Sequence, residues 1–262
     1  MPELPIPPAA LLLDIDGVLH VGEEPLPGAI EALGRLRELA GGVRLLTNTT
    51  SRSRRAIVER LRRLGFELSE SEVLTPAALA LAHCRSRGYS RVSLLVSDSL
   101  REDLGELEEA AESEEAEAVV LGDLGSGFTP EILNGAFRRL MDGAELIALQ
   151  HNRYWRRADG LALDVGAYAA ALEYASGLEP IVVGKPSPLF FRAALEELGA
   201  EPAGAAMVGD DIEGDVGGGL AADIASVLVR TGKFRADAVA ASGVSPTATV
   251  DSIADLPALL GG

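Results

Sequence analysis

The chain has 262 residues, a length that can bury a sizeable core in one large domain or in two smaller ones. With 47% hydrophobic and 24% charged residues, its composition is that of a globular protein rather than a disordered one. A formal net charge of −17 argues against binding to nucleic acid or to an anionic membrane, because both need a basic surface. No apolar run approaches the roughly 20 residues that span a bilayer, and a single cysteine fits a reducing compartment, so we expect a cytoplasmic location.

Strand-like and helix-like patterns alternate along the chain. The strand candidates, in chain order, are ALLLDI, VRLLTN, VSLLVS, AEAVVLG, ELIALQ, PIVVGK, AAMVGD and ASVLVR. Between them, apolar residues recur at helical spacing, as Ile30, Leu33 and Leu36 do after the first strand. This alternation predicts an α/β fold with a largely parallel, Rossmann-like sheet.

Several of these strands end in polar residues that could carry chemistry. The residues at these strand ends are Asp14, Asp16, Thr47, Asn48, Thr49, Lys185, Asp210 and Asp215. In parallel α/β sheets, ligands bind at the carboxyl ends of the strands, so we expect these side chains to converge.

The segment between Pro76 and Pro180 has strand candidates of its own but none of these polar strand ends. This pattern predicts a second domain inserted into the first. Residues 1–75 and 181–262 then form the core domain, and residues 76–180 form the insert.

Four aspartates at one sheet edge need a counter-charge. Carboxylates within a few ångströms of one another do not all stay ionised without a cation, so Asp14, Asp16, Asp210 and Asp215 imply a bound metal ion. An all-oxygen donor set favours Mg²⁺, which pairs with phosphate, whereas the three histidines are too scattered for a zinc site.

The remaining polar residues suit a phosphoryl group. Thr47, Asn48 and Thr49 offer hydroxyl and amide donors, and Lys185 offers a point positive charge. A carboxylate in such a site could act as a nucleophile and form an aspartyl-phosphate.

Four segments, DIDGVLH, LLTNTTSRS, VVGKPSPLFF and MVGDDIEGD, follow one another along the chain. They resemble the four motifs of the haloacid dehalogenase superfamily of phosphatases. With a large insert between the second and third motifs, the chain resembles the NagD-like subclass, whose insert is an α/β cap domain. The segments TNTTSRSRRAIVERLRRLGFELSE and LVRTGK are most similar to the branch that contains phospholysine phosphohistidine inorganic pyrophosphate phosphatase and its hydrolase-domain relatives.

The resemblance implies roles for the acids. Asp14 corresponds to the nucleophile and Asp16 to the general acid and base. The metal ligands implied are Asp14, Asp210 and the backbone carbonyl of Asp16. Asp215 corresponds to the second acid of the last motif and lies outside the direct metal ligands. Some relatives carry serine in place of Asp16, so its presence here predicts an active enzyme.

The resemblance also implies how substrate binds. Thr47 and Asn48, with Thr49 beside them, correspond to the phosphate-binding second motif, and Lys185 to the lysine that steadies nucleophile and phosphate. The implied activity is Mg²⁺-dependent hydrolysis of small phosphorylated metabolites, with the cap selecting the substrate. Relatives often dimerise through the cap, so a homodimer is a further expectation.

Two alternatives to hydrolysis remain open on the residues alone. Transfer of phosphate to a second alcohol would need an acceptor pocket, and a non-enzymatic Mg²⁺-dependent phospho-acceptor would gather a similar set of aspartates. The sequence predicts Lys233 to be a surface lysine and Trp155 a core or interface residue. For Asp211 it favours a loop role, or a role behind the metal ligands, over direct ligation, and it leaves the role of Asp164 open.

Overall fold

The structure is a computed structural model that describes residues 2–111, 114–157 and 160–262; the side chains of residues 156 and 157 are outside the description. The strands, in chain order, are β1 (Ala10–Asp14), β2 (His20–Val21), β3 (Glu24–Pro25), β4 (Val43–Leu46), β5 (Val73–Leu74), β6 (Arg91–Leu95), β7 (Glu108–Glu109), β8 (Ala118–Leu121), β9 (Glu145–Ala148), β10 (Tyr154–Arg157), β11 (Gly160–Leu163), β12 (Ile181–Val182), β13 (Ala205–Gly209), β14 (Ala225–Val229) and β15 (Ala248–Val250).

The α-helices alternate with these strands. In chain order they are α1 (Ala29–Leu39), α2 (Arg54–Arg63), α3 (Pro76–Arg87), α4 (Asp98–Arg101), α5 (Pro130–Met141), α6 (Val165–Ser176), α7 (Pro188–Leu198), α8 (Gly218–Ala221), α9 (Ala236–Ser242) and α10 (Leu256–Leu259). Among the described residues, no helix combines the length and the apolar character that crossing a membrane requires.

The chain divides into two compact units. The first unit contains the chain as far as Thr47, together with Arg55–Leu74 and Lys185–Gly262. The second unit contains Asn48–Arg54 and Thr75–Gly184. The second unit is therefore inserted within the sequence of the first.

A six-stranded parallel sheet forms the centre of the first unit, in the order β15-β14-β13-β1-β4-β5. Its central strand β1 is a continuous apolar run in which Leu11, Leu12 and Leu13 are fully buried, as expected for a strand covered on both faces. Parallel pairing needs crossover connections, which the intervening helices supply. This sheet confirms the predicted α/β fold with a Rossmann-like parallel core.

The second unit has a parallel sheet of its own, in the order β12-β9-β8-β6-β7, and an antiparallel pair of strands, β10 and β11. Buried side chains cover both faces of this sheet, with Val120 and Ile147 on one face and Val119 and Leu146 on the other. The insert is therefore an α/β unit with its own core.

The second unit continues past residue 180, where the sequence analysis placed the return to the core. The short strand β12 pairs with β9, with Ile181 opposite Ile147, and the unit continues as far as Gly184. The apolar residues of β12 therefore form the edge strand of the second sheet, next to β9. The division into a core and a functional cap remains a prediction.

Candidate active site

The site lies at the carboxyl ends of adjacent strands in the first unit. Asp14 is the last residue of the central strand β1 and pairs with Leu46 of β4, so Thr47 follows directly beside it. On the other side of β1 lies β13, and Asp210 follows its last residue, Gly209. The strand order thus brings the ends of three separate chain segments together at one sheet edge.

Three buried carboxylates form the centre of the site. One oxygen each of Asp14, Asp210 and Asp215 lies within 4.8 Å of the others. Asp215 reaches this position from a π-helical stretch, Ile212–Gly217, that follows β13. A Cβ on Gly209 would lie 2.2 Å from the Asp215 Cβ, so this close approach requires glycine there.

One buried ammonium group contacts two of these acids. The Nζ of Lys185 lies 2.5 Å from Asp14 Oδ1 and 2.7 Å from Asp215 Oδ1. Burial by itself lowers the pKa of Lys185, but these two neighbouring carboxylates outweigh it and raise that pKa above its usual value. Lys185 is therefore a fixed cation at the position the sequence predicted.

The local charge balance opposes ionisation of Asp14 and Asp210. Burial, followed by the charge of Asp215, raises the pKa of Asp14 well above its ordinary value. The same two causes raise the pKa of Asp210 to about 7. One ammonium cannot compensate three carboxylates, so a second cation would favour the ionised forms of Asp14 and Asp210.

The two oxygens of Asp210 have different surroundings. Its Oδ2 accepts a hydrogen bond of 2.6 Å from the backbone N–H of Lys233. Its Oδ1 is buried and has no hydrogen-bond partner among the described residues. An orphaned carboxylate oxygen beside other acids fits a divalent metal ion, for which Asp210 Oδ1 would be a ligand.

Two glycines enclose the fixed oxygen of Asp210. A Cβ on either Gly17 or Gly232 would lie 1.8 Å from Asp210 Oδ2. Both have positive φ, +86° and +56° respectively, a region that favours glycine. Thr231 Oγ1 donates a 2.5 Å hydrogen bond to the Gly17 carbonyl and ties the two loops together. We call Gly17, Gly232 and the Lys233 N–H the glycine collar.

Asp16 lies beside the buried acids but is not one of them. Its side chain is 50% exposed, and its Oδ1 is 3.5 Å from His20 Nε2. Its Oδ2 is 3.5 Å from the Thr47 hydroxyl, at the limit of a hydrogen bond. This exposure is compatible with the predicted role of Asp16 as general acid and base, which remains a prediction.

The second predicted phosphate-binding segment is divided between the two units. Thr47 is buried in the first unit, whereas Asn48 and Thr49 belong to the second. Within the second unit, Asn48 lies against Gly184, where a Cβ would meet Asn48 Oδ1 at 2.7 Å. Phosphate binding by Asn48 and Thr49 remains a prediction.

The contacts of Lys233 with Asp210 and Asp211 were not predicted from the sequence. Its side chain is 62% exposed, as for a surface lysine, but its Nζ lies 3.3 Å from Asp211 Oδ2 and its N–H holds Asp210. Asp211 also accepts hydrogen bonds from the backbone N–H groups of Glu213 and Gly214, which agrees with its predicted loop role. The available signal was lysine usage, because Lys185 and Lys233 are the only lysines in the chain.

Comparisons with known proteins agree with this geometry. A family model described as haloacid dehalogenase-like hydrolase matches residues 11–108, and a second, described as HAD-hydrolase-like, matches residues 182–256. Phospholysine phosphohistidine inorganic pyrophosphate phosphatase of Bos taurus is 43% identical over 256 residues, covering 95% of this chain and 93% of that protein.

Solved structures of phosphatases are also similar to this chain. A p-nitrophenyl phosphatase from Archaeoglobus fulgidus is 31% identical, with a TM-score of 0.89 over 96% of this chain and 99% of its own. NagD from E. coli K-12 is 25% identical, with a TM-score of 0.84 over 96% of this chain and 98% of its own. With Asp14, Lys185 and Asp210 gathered at the edge that the motifs predicted, the chain belongs to the haloacid dehalogenase-like hydrolases and is a NagD-like phosphatase of that family.

Proposed function

We propose that this phosphatase hydrolyses small phosphorylated metabolites in a Mg²⁺-dependent reaction that passes through an aspartyl-phosphate on Asp14. The observation that carries the proposal is the arrangement of Asp14, Lys185 and Asp215 beside the orphaned Oδ1 of Asp210. It supplies a nucleophile, a fixed cation and a position for a second cation at one sheet edge.

Asp14, the Oδ1 of Asp210 and the backbone carbonyl of Asp16 would hold the metal ion. Bound Mg²⁺ would neutralise charge on the carboxylates and the phosphate oxygens. Asp215 stays outside this set in the proposal, because its two oxygens already accept from Lys185 and from the backbone N–H of Asp211.

In the first step, a carboxylate oxygen of Asp14 attacks phosphorus and the bond from phosphorus to the leaving oxygen breaks. The carboxyl of Asp16 gives its proton to that leaving oxygen. Lys185 screens the charge of Asp14 from the phosphate and holds the carboxylate in place.

In the second step, Asp16 takes a proton from a water molecule, and the resulting nucleophile attacks phosphorus. The bond between phosphorus and Asp14 breaks, which releases inorganic phosphate and restores the Asp14 carboxylate. Asp16 ends the cycle protonated, as it began, so the proton count balances.

The second unit is the cap in this proposal. Closure of a cap would exclude water during the first step and select the leaving group. The names of the relatives suggest substrates to test, among them inorganic pyrophosphate, phosphorylated lysine or histidine, and p-nitrophenyl phosphate. A homodimer and a cytoplasmic location belong to the same proposal.

Turnover of 4-nitrophenyl phosphate tests the proposal directly. We expect continuous release of nitrophenol with Mg²⁺, none with excess EDTA, and recovery when Mg²⁺ is restored. Asp14→Asn removes turnover, whereas Asp223→Asn, an exposed acid of the same unit at a positive φ that asparagine tolerates, leaves it unchanged. Release of one equivalent without further turnover would instead indicate a phospho-acceptor, and product formed only with an added alcohol would indicate a phosphotransferase.

A further inference from the structure

The second unit contains a cavity to which the proposed reaction steps assign no role. It has a volume of about 120 Å³. Its wall combines two acids, Asp123 and Asp164, with three aromatic side chains, Phe128, Trp155 and Tyr168. We call this cavity the aromatic recess.

The acids of the recess have neutral partners. Asp164 Oδ1 accepts from the backbone N–H of Val165 at 2.8 Å and from Gln150 Nε2 at 2.5 Å. Asp123 Oδ1 accepts from the backbone N–H of Gly125 at 2.9 Å. Among the described side chains, neither acid makes an ion pair with arginine, lysine or histidine.

The two acids are also close enough to affect each other. Burial raises the pKa of Asp164, and the charge of Asp123 adds to that rise. Two carboxylates that line one partly buried cavity each contribute negative potential inside it.

Three aromatic rings share the rest of the wall with small and aliphatic residues, which are Gly125, Ala162, Leu163 and Val165. Phe128 and Tyr168 stack with their ring centroids 3.7 Å apart and an interplanar angle of 14°. Trp155, which the sequence predicts to be a core or interface residue, is 42% exposed and lines the recess. The faces of aromatic rings carry negative charge density and attract cations.

We propose that the aromatic recess binds an organic ammonium group. The carboxylates attract a positive charge, and the aromatic rings offer an apolar surface. An alkylated ammonium group interacts favourably with both, because it carries a positive charge inside a shell of alkyl groups. A bare divalent ion fits less well, because rings contribute no oxygen ligands to replace its water shell. A neutral apolar ligand would bury two carboxylates without compensating them.

Trp155 makes the proposal testable without any activity assay. It is the only tryptophan of the chain, so intrinsic tryptophan fluorescence reports on the recess alone. The full-length protein is titrated with choline, and in parallel with 3,3-dimethylbutan-1-ol, which has the same shape but no charge. We expect a saturable fluorescence change with choline and none with the alcohol.

Charge variants identify the group responsible. Asp164→Asn keeps the oxygen that accepts from Val165 and removes only the charge, so the helix cap survives. We expect the choline concentration at half-saturation to rise at least about tenfold. Asp142→Asn, an exposed acid of the same unit that does not line the recess, leaves that concentration unchanged.

Several outcomes would overturn the proposal. An equal response to choline and to the alcohol would show apolar binding without charge recognition. No saturation with choline, or wild-type binding by Asp164→Asn, would also contradict it. A Ca²⁺ titration that displaces choline and depends on Asp164 would assign the recess to a metal ion instead.

Discussion

The ammonium nitrogen of Lys185 lies 2.5 Å from Oδ1 of Asp14, and both side chains are less than a tenth exposed. An ion pair this deeply buried matters for stability mainly because removing one partner leaves the other charge buried and unpaired. Without the ammonium, the carboxylates of Asp14 and Asp215 would stay in a low-dielectric environment with no cation beside them.

Lys185→Met preserves the length of the side chain and removes its charge. We expect the metal-free protein to lose about 3–5 kcal/mol in free energy of unfolding, because the buried acids are left uncompensated. Lys233→Met is the matched control; its exposed ion pair with Asp211 is worth at most about 1 kcal/mol. Urea denaturation in EDTA measures both changes, and equal effects of the two variants would contradict the prediction.

Asp16→Asn separates the two steps of the proposed reaction. General acid–base catalysis is typically worth about 10²- to 10⁴-fold in rate, so turnover falls by that range. Nitrophenol is a good leaving group, so the first step suffers least and the second lacks its base. We expect a burst of nitrophenol followed by slow turnover, with phosphate trapped on Asp14. Equal slowing of good and poor leaving groups, without a burst, would show that Asp16 does not carry the proton.

Gly232→Ala tests the glycine collar. A Cβ there would lie 1.8 Å from Asp210 Oδ2, so the carboxylate has to move and Mg²⁺ binding weakens. Gly199→Ala is the matched control, because its φ of +61° is similar and nothing lies within 4 Å of the added Cβ. Calorimetric titration with Mg²⁺ should show at least about tenfold weaker binding for Gly232→Ala alone, since misplacing one ligand by about an ångström disrupts a metal site. Similar affinities for the two variants would contradict the proposed role of the collar.

The raised pKa of Asp210 predicts how stability depends on pH. In the unfolded chain this carboxyl titrates near its ordinary 3.8, and in the fold its pKa is about 7, so the folded state binds more protons between these values. The contribution of Asp210 to the stability of the metal-free protein should therefore fall as pH rises from about 4 to about 7, with little further loss above. Asp210→Asn should flatten this slope, and Mg²⁺ should stabilise wild type most above pH of about 7. Thermal unfolding in EDTA across this range is the measurement, and a slope unchanged by the substitution would contradict the assignment.

The sequence predicted the core of the site because strand ends carry a readable signal. Asp14 and Asp210 each follow a buried apolar strand, and parallel neighbours present their carboxyl ends at one edge. Lys185 was predictable because it follows another apolar segment and stands out in a chain that otherwise uses arginine.

The collar was not predictable in the same way. Lys233 holds Asp210 through its backbone N–H, and every residue except proline has that group, so no side-chain pattern marks it. The sheet to which Ile181 belongs was not readable from the sequence for a related reason. A two-residue apolar strand can pair with either sheet, and only the assembled partner β9 decides which.

The scarcity of lysine in this chain has a practical consequence. Lys185 is buried and held protonated by two carboxylates, whereas Lys233 is 62% exposed. Apart from an amino terminus, Lys233 is therefore the one accessible primary amine among the described residues. An amine-reactive dye, cross-linker or chromatography resin would attach at the rim of the active site, so conventional lysine labelling would mark and obstruct the catalytic edge.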